Sequence, residues 1–278
     1  MDTSRTHLFV VCVLALSASL GGCSPTYRQD QLIQAIQQIC ATEYHLTVSA
    51  RQSGQTLAVY LHHSGVLQQV GNQVAFAPSA NEVLGNLFEV VHRVILSSDS
   101  SIRFYVVLIS DPTVPGVYLT FVRYLEDVRR VNANLLTPTE FFNRTVFDMK
   151  YASVPVLNLD ELILNDIQLE QFLSWQIAKR IQISLTDKLQ QDVTPVVDIG
   201  PCAGEFRDGE FAFTLNIAPK AGLTVSDEEL QQFFEDATTV IAQVLSGYRF
   251  EDFETIRLIH PSTGKNLILP RTRLEVFR

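Results

Sequence analysis

Two serines, each standing three residues before a glutamate, do most to limit how this chain can fold. Ser79 with Glu82, and Ser226 with Glu229, each open an apolar run at helical spacing. In such a capping box the serine side chain and the glutamate side chain satisfy backbone N–H groups that a helix leaves free at its start. The first run places Val83, Leu84, Leu87, Val91 and Val94 on one side and continues to about Leu96. The second carries Leu230, Phe234, Ala237, Ile241 and Leu245, and Gly247 is its expected stop.

The same punctuation flanks both helices. Before the first lies an amphipathic stretch, residues 29–43, and then alternating residues on both sides of Ser53-Gly54. Before the second lies a long helical pattern from Asn165 to about Gln190, with Leu169, Leu173, Ile177, Ile181 and Leu185 at four-residue steps. A hairpin from Gly204 to Ala218 follows it, turning at Asp208-Gly209. After the first capped helix, Ile102–Ile109 and Val117–Tyr124 read as strands around the turn Asp111–Gly116. After the second, Phe253–Ile259 and Asn266–Leu269 flank the turn His260–Lys265. Residues 66–77 can add a short strand. Each half therefore reads α-β-β-α-β-β. The expected fold class is α+β: two similar halves with antiparallel sheets and helices packed on one face, arising by internal duplication.

The chain begins with a basic, polar stretch containing Arg5, followed by the apolar run Leu8–Leu20 and then Gly21-Gly22-Cys23-Ser24. Thirteen helical residues span roughly 20 Å, short of a hydrocarbon core of about 30 Å. That length suits the apolar region of a secretory signal peptide. Leu20-Gly21-Gly22-Cys23 resembles the lipobox of bacterial lipoproteins, in which small residues enter the peptidase cleft and the thiol takes a diacylglycerol. The resemblance covers about the first 24 residues. It implies that residues 1–22 are removed and that Cys23 is lipidated and holds the protein to a membrane. It also implies a bacterial cell-envelope location, and Ser24 rather than Asp after the cysteine points to the outer membrane, facing the periplasm. Residues 23–28 become a lipidated tether, 29–126 and 165–278 the two repeats, and 127–164 an irregular connecting segment with short helical pieces.

Charge is unevenly spread. Five basic and seven acidic residues lie between Cys23 and Glu126, against eleven and seventeen from Asn165 to Arg278. A charge-poor half reads either as a surface covered by a partner or as a deep strand-rich core with a neutral polar surface. The net charge of −9, with no dense Lys/Arg stripe, argues against nucleic acid as a partner.

Removal of Cys12 and lipidation of Cys23 leave Cys40 and Cys202. In an oxidising compartment the two can form a disulfide joining the halves, or stand as unpaired thiols. Cys40 shares a helical face with Leu32, Ile33 and Ile36, which reads as core.

No pattern in the chain specifies catalysis, a metal or a cofactor. Ser262-Thr-Gly-Lys265 lacks the upstream glycine of a phosphate loop and lies between two strands, so it reads as a hairpin turn. His62 and His63 are adjacent on a strand and point to opposite faces. Cys202 lies in the loop Asp198–Gly204 with no neighbouring cation in sequence to lower its pKa. Asp227, Glu228 and Glu229 fall in the first turn of a helix, where carboxylates favour the helix dipole. Asn143-Arg-Thr145 matches a glycosylation sequon of little weight in such a protein. Phe141, Phe142, Phe147 and Tyr151 crowd the connecting segment and are expected to wedge between the halves, the alternative being that they cover a partner site. The sequence thus suggests a lipid-anchored envelope protein that works by binding or by scaffolding an envelope complex. The alternatives are an envelope-polymer hydrolase using Asp198–Gly204 or His62/His63, and a lipid or small-ligand carrier using a cleft between the halves.

Overall fold

Leu57, Val59 and Leu61 face one way along a strand, and Ala58 and Tyr60 face the other, yet all five are buried. A strand buried on both faces must lie between two apolar layers. The computed structural model supplies both; it describes residues 26–151, 165–191, 196–221 and 223–277. Cys23 and the lipobox lie outside them.

The described chain is mixed α+β. A short 3-10 turn, Gln29–Gln31, leads into α1 (Leu32–Tyr44), then β1 (Val48–Ser53) and β2 (Thr56–His62). A small hairpin, β3 (Leu67–Val70) and β4 (Gln73–Phe76), precedes α2 (Ala80–Leu96), β5 (Phe104–Ser110) and β6 (Val117–Tyr124). Two short helices, α3 (Leu125–Asn132) and α4 (Pro138–Arg144), lead to β7 (Val146–Tyr151). The second half comprises α5 (Leu169–Gln190), β8 (Val197–Ile199), β9 (Ala203–Arg207), β10 (Glu210–Thr214), β11 (Ile217–Pro219), α6 (Asp227–Tyr248), β12 (Thr255–His260) and β13 (Lys265–Pro270). A 3-10 segment, Arg271–Phe277, ends it.

The main sheets run β1-β2-β5-β6-β7 and β13-β12-β10-β9. The hairpins are antiparallel as expected, but β2 pairs with β5, and β10 with β12, in parallel. The antiparallel expectation is corrected here: α2 and α6 each carry the chain back across the sheet, so the next strand starts at the same end as the last. Both sheets are therefore mixed, with the same order and directions through four strands.

The layers alternate. One face of the first sheet (Leu57, Val59, Tyr105, Val107, Leu119) packs on α1 and α2 through Leu32, Ile36, Leu87 and Val91. Its other face (Ala58, Phe104, Val106, Val122) packs on α5 through Phe172, Leu173 and Ile177. The far side of α5 and α6 covers Phe211, Phe213, Ile256 and Leu258 of the second sheet. The scarcity of charge in the first half follows from this, since its own chain covers both faces of its sheet. The outer face of the second sheet is polar instead. Arg257 pairs with Glu210 at 3.0 Å there, and the Thr255 hydroxyl donates to the same carboxylate at 3.3 Å.

Local expectations fared unevenly. The Ser226/Glu229 capping box is formed in both directions. The Ser79/Glu82 box is not: the Ser79 hydroxyl donates to the Gly65 carbonyl at 2.7 Å, tying α2 to the β3–β4 hairpin. Gly247 does not end α6, which stops at Arg249 in the left-handed region (φ 53°). The described part of the connecting segment, residues 127–151, is less irregular than expected, because β7 extends the first sheet alongside β6. Its aromatics form no wedge between the halves. Phe147 packs 4.9 Å from Phe121, centroid to centroid, and Phe141 packs against the same first core, while Phe142 and Tyr151 are exposed.

The expected alternative of a Cys40–Cys202 bridge is also corrected. Both thiols are free, Cys40 inside the first core and Cys202 against the second, on opposite sides of the first sheet. No described helix is long and apolar enough to cross a membrane.

Candidate functional site

Strand register sets up a gradient on the face of the first sheet that looks towards α5. Cross-strand pairing aligns His62, Ser110, Tyr118 and Lys150 in one row. Two residues further along each strand come Tyr60, Leu108, Thr120 and Asp148, and then Ala58, Val106, Val122 and Val146. The face therefore passes from hydroxyl, imidazole and ammonium groups to aliphatic carbon within three rows.

Helix α5 seals the apolar end, where Phe172 lies 5.4 Å from Phe104 by ring centroid. Towards the polar end the helix and sheet part, leaving an open cleft of about 660 Å³. The sheet supplies Val106, Leu108, Thr120, Tyr118, Asp148 and Lys150. Helix α5 supplies Trp175, Ala178 and Lys179, and the loop before β9 contributes Pro201 and Cys202. This volume lies within the range of small-molecule sites, roughly 300–1,000 Å³.

Close approach of backbones shapes one wall. A Cβ on Gly204 would lie 2.2 Å from the Ser174 carbonyl oxygen, so only glycine lets β9 meet α5 there. The base of the cleft is fixed by a staple between the halves. Asp166 accepts from the Gln55 N–H at 2.8 Å and the Thr56 hydroxyl at 3.2 Å, and the Ile167 N–H donates to the Thr56 hydroxyl oxygen at 2.8 Å.

The cleft is electrostatically distinct from the rest of this acidic chain. Lys188, Lys220 and Lys265 form ion pairs with Asp236, Asp198 and Asp227. Lys150 and Lys179, the remaining two lysines, form none among the described residues, and both line the cleft. Among the described lining residues Asp148 is the one carboxylate, which leaves one positive charge over.

At the end of the polar row, the Ser110 hydroxyl bonds the Tyr60 hydroxyl at 2.6 Å and His62 Nδ1 at 2.7 Å. Serine beside histidine raises the question of a nucleophile. Ser110 is buried, and no carboxylate bonds the His62 ring among the described residues, so the group that would orient the base is absent from this set. Cys202 does not serve either: burial pushes its thiol up to about 11 against the pull of Lys179, so it stays protonated at neutral pH. The described residues contain no cluster of three metal-ligating side chains.

Other residues singled out by sequence lie elsewhere. Lys265 of the Ser262–Lys265 turn bonds Asp227 at the start of α6, and Glu229 serves the helix cap. His63 lies beyond the end of β2 and does not line the cleft. Of the Asp198–Gly204 loop, Pro201 to Gly204 line the cleft, although the disulfide and nucleophile readings of Cys202 do not apply there. Sequence reasoning missed Ser110, Tyr118, Lys150, Trp175 and Lys179. Only Trp175 stood out locally, as the single tryptophan of the chain.

No protein-family model matches this chain, and neither a curated protein nor a solved structure matches it. The site is therefore defined by its geometry and chemistry: a cleft between stacked α+β layers, apolar at its inner end and cationic at its mouth.

Proposed function

We propose that this is a lipid-anchored binding protein of the bacterial cell envelope, held at the membrane by Cys23, whose ligand is a small apolar molecule received in the cleft between its halves. The carrying observation is the open cleft between β5–β7 and α5, with aliphatic side chains, an aromatic plate at Trp175 and a few polar groups at one end. The lipobox-like Leu20–Cys23 supports the anchor and the envelope location, outer membrane facing the periplasm. The two halves are read as a duplication. Their matched strand order and register support this: Thr56 pairs Phe104 as Glu210 pairs Thr255. Duplication explains why the cleft lies where one unit's sheet meets the next unit's helices.

Scaffolding of an envelope protein complex is the second reading, supported by the strand edges of β1, β9 and β13, which are ready to take a partner strand. Organic extraction and mass spectrometry of the protein purified from its native envelope tests the first reading. A stoichiometric apolar molecule is expected, and it should be lost in Thr120→Phe, which fills the cleft while keeping a strand-favouring residue. Ligand-free protein that cross-links to an envelope partner would favour scaffolding.

A further inference from the structure

We propose that the ligand of the cleft is an anionic amphiphile: a single apolar chain carrying a carboxylate or phosphate head, with the head at the mouth beside Lys150 and Lys179. The inference rests on the reading of the cleft as the binding site and specifies its chemistry.

Three observations point to an acidic head. The first is the direction of the polarity gradient. Along β5 and β6 the cleft face runs from Val106 and Val122, through Leu108 and Thr120, to Ser110 and Tyr118. An apolar chain laid along this face buries its carbon against the inner rows and brings its polar end to the outer row. A wholly apolar ligand would bring only carbon to the Lys150 ammonium of that outer row, where a polar end can meet it.

The second is charge. Every lysine outside the cleft is neutralised by a carboxylate, and the two lysines lining it have no carboxylate partner among the described residues, within a chain of net charge −9. Lys150 stands on the edge strand at the mouth and Lys179 on the facing helix, so a head between them meets positive charge from both walls. Asp148, two residues from Lys150 on the same strand, offsets one of these charges. A cationic head would face two ammonium groups against that one carboxylate.

The third is steric. The apolar end is closed by the Phe104, Tyr124 and Phe172 rings, so the ligand enters chain first and leaves its head at the opening.

The test uses the mature chain and its single tryptophan. Trp175 fluorescence is titrated with dodecanoate, dodecyl phosphate and dodecanol below their micellar concentrations, with alkylation of Cys202 as a second readout. At least one acid should shift the emission and protect Cys202 at a concentration at least tenfold below that of the alcohol, and comparison of the two acids shows which head is preferred. Lys150→Gln combined with Lys179→Gln should bring the acids to the affinity of the alcohol and leave the alcohol unchanged. Lys150→Gln alone, on the exposed edge strand, should lose part of the preference and guards against misfolding of the double variant. Equal binding of acid and alcohol, or indifference to both substitutions, overturns the acidic head while leaving the cleft as an apolar site. If none of the three compounds shifts Trp175 or protects Cys202, the cleft reading fails with it.

Discussion

Tyr248 donates its phenolic hydrogen to Asp127 at 2.5 Å, joining α6 to α3 across 121 positions of sequence. Arg144 approaches the other oxygen of that carboxylate at 3.0 Å, lies 4.6 Å from the centre of the Tyr248 ring and bonds Glu140 at 3.0 Å. Gln176 of α5 donates to the Arg144 carbonyl at 2.8 Å and to the Tyr248 hydroxyl at 3.0 Å. Burial first, and then the Asp127 carboxylate, hold the Tyr248 phenol well above its usual range, so it remains a donor. This buried cluster clamps the connecting segment to the second half. Gly247 belongs to it: a Cβ there would lie 3.0 Å from Arg144 Nη2, which explains a glycine inside a helix that continues past it.

Removing one member of such a cluster strands the others away from water. Arg144→Gln is expected to lower stability by about 3–5 kcal/mol, as for other broken buried ion pairs. Tyr248→Phe, which removes both the hydrogen bond to the Asp127 carboxylate and the acceptor of Gln176, should cost about 1.5–3 kcal/mol. Urea unfolding curves of the two variants check both figures and their order.

Gly54 has φ +55°, and a Cβ on it would lie 2.3 Å from Asp166 Oδ2, within the staple between the halves. Gly54→Ala should destabilise the protein by more than the roughly 1–2 kcal/mol of left-handed strain alone. In an Asp166→Ala background the excess should vanish. A double-mutant cycle with no coupling between the two positions would refute the contact.

His92 lies between α2 and the first sheet, bonded to Tyr105, with the Arg123 guanidinium close by. Burial, and then the charge of Arg123, bring its pKa down from 6.5 to about 4. The folded state thus takes up a proton less readily than the unfolded chain. The stability contributed by neutral His92 is complete above pH 6.5 and is lost as pH falls towards 4, on the order of 1–3 kcal/mol. His92→Gln should flatten the dependence of the unfolding midpoint on pH between 7.5 and 4.5. An unchanged slope would show that other groups carry it.

The two described cysteines should differ in access. Cys202 is half-buried and Cys40 fully buried, and burial pushes both thiols up to about 11. Slow alkylation of Cys202 alone is expected in native protein at pH 8, and of both after unfolding without reductant. Absence of free thiol in the unfolded, unreduced protein would mean that they are oxidised.

For the anchor, labelled palmitate should enter the protein, and Cys23→Ser should abolish labelling and release a soluble form. Membrane attachment that persists in that variant would remove the basis for the envelope location.

The elements legible from sequence were those whose signals are local. The strand Val117–Tyr124 and the turn at Asp208-Gly209 appear where alternation and turn chemistry put them, and the capped start of α6 is where Ser226 and Glu229 place it. Elements that depend on a distant partner were not legible. Strand β7 exists because β6, more than 20 positions earlier, offers it an edge. Ser79 gave up its cap because Gly65 presents a carbonyl that no local pattern reveals.

By itself, the sequence determined the α+β class and the places of the main helices and hairpins, because side-chain periodicity and backbone capping act over a few residues. The tertiary structure alone decided that the central strands run parallel, that Cys40 and Cys202 lie on opposite sides of a sheet, and that Val106, Lys150, Trp175 and Cys202 share one cleft. Those relations depend on which apolar face finds which other face on folding. That choice is made by burial summed over the whole chain, and no short stretch of residues contains it.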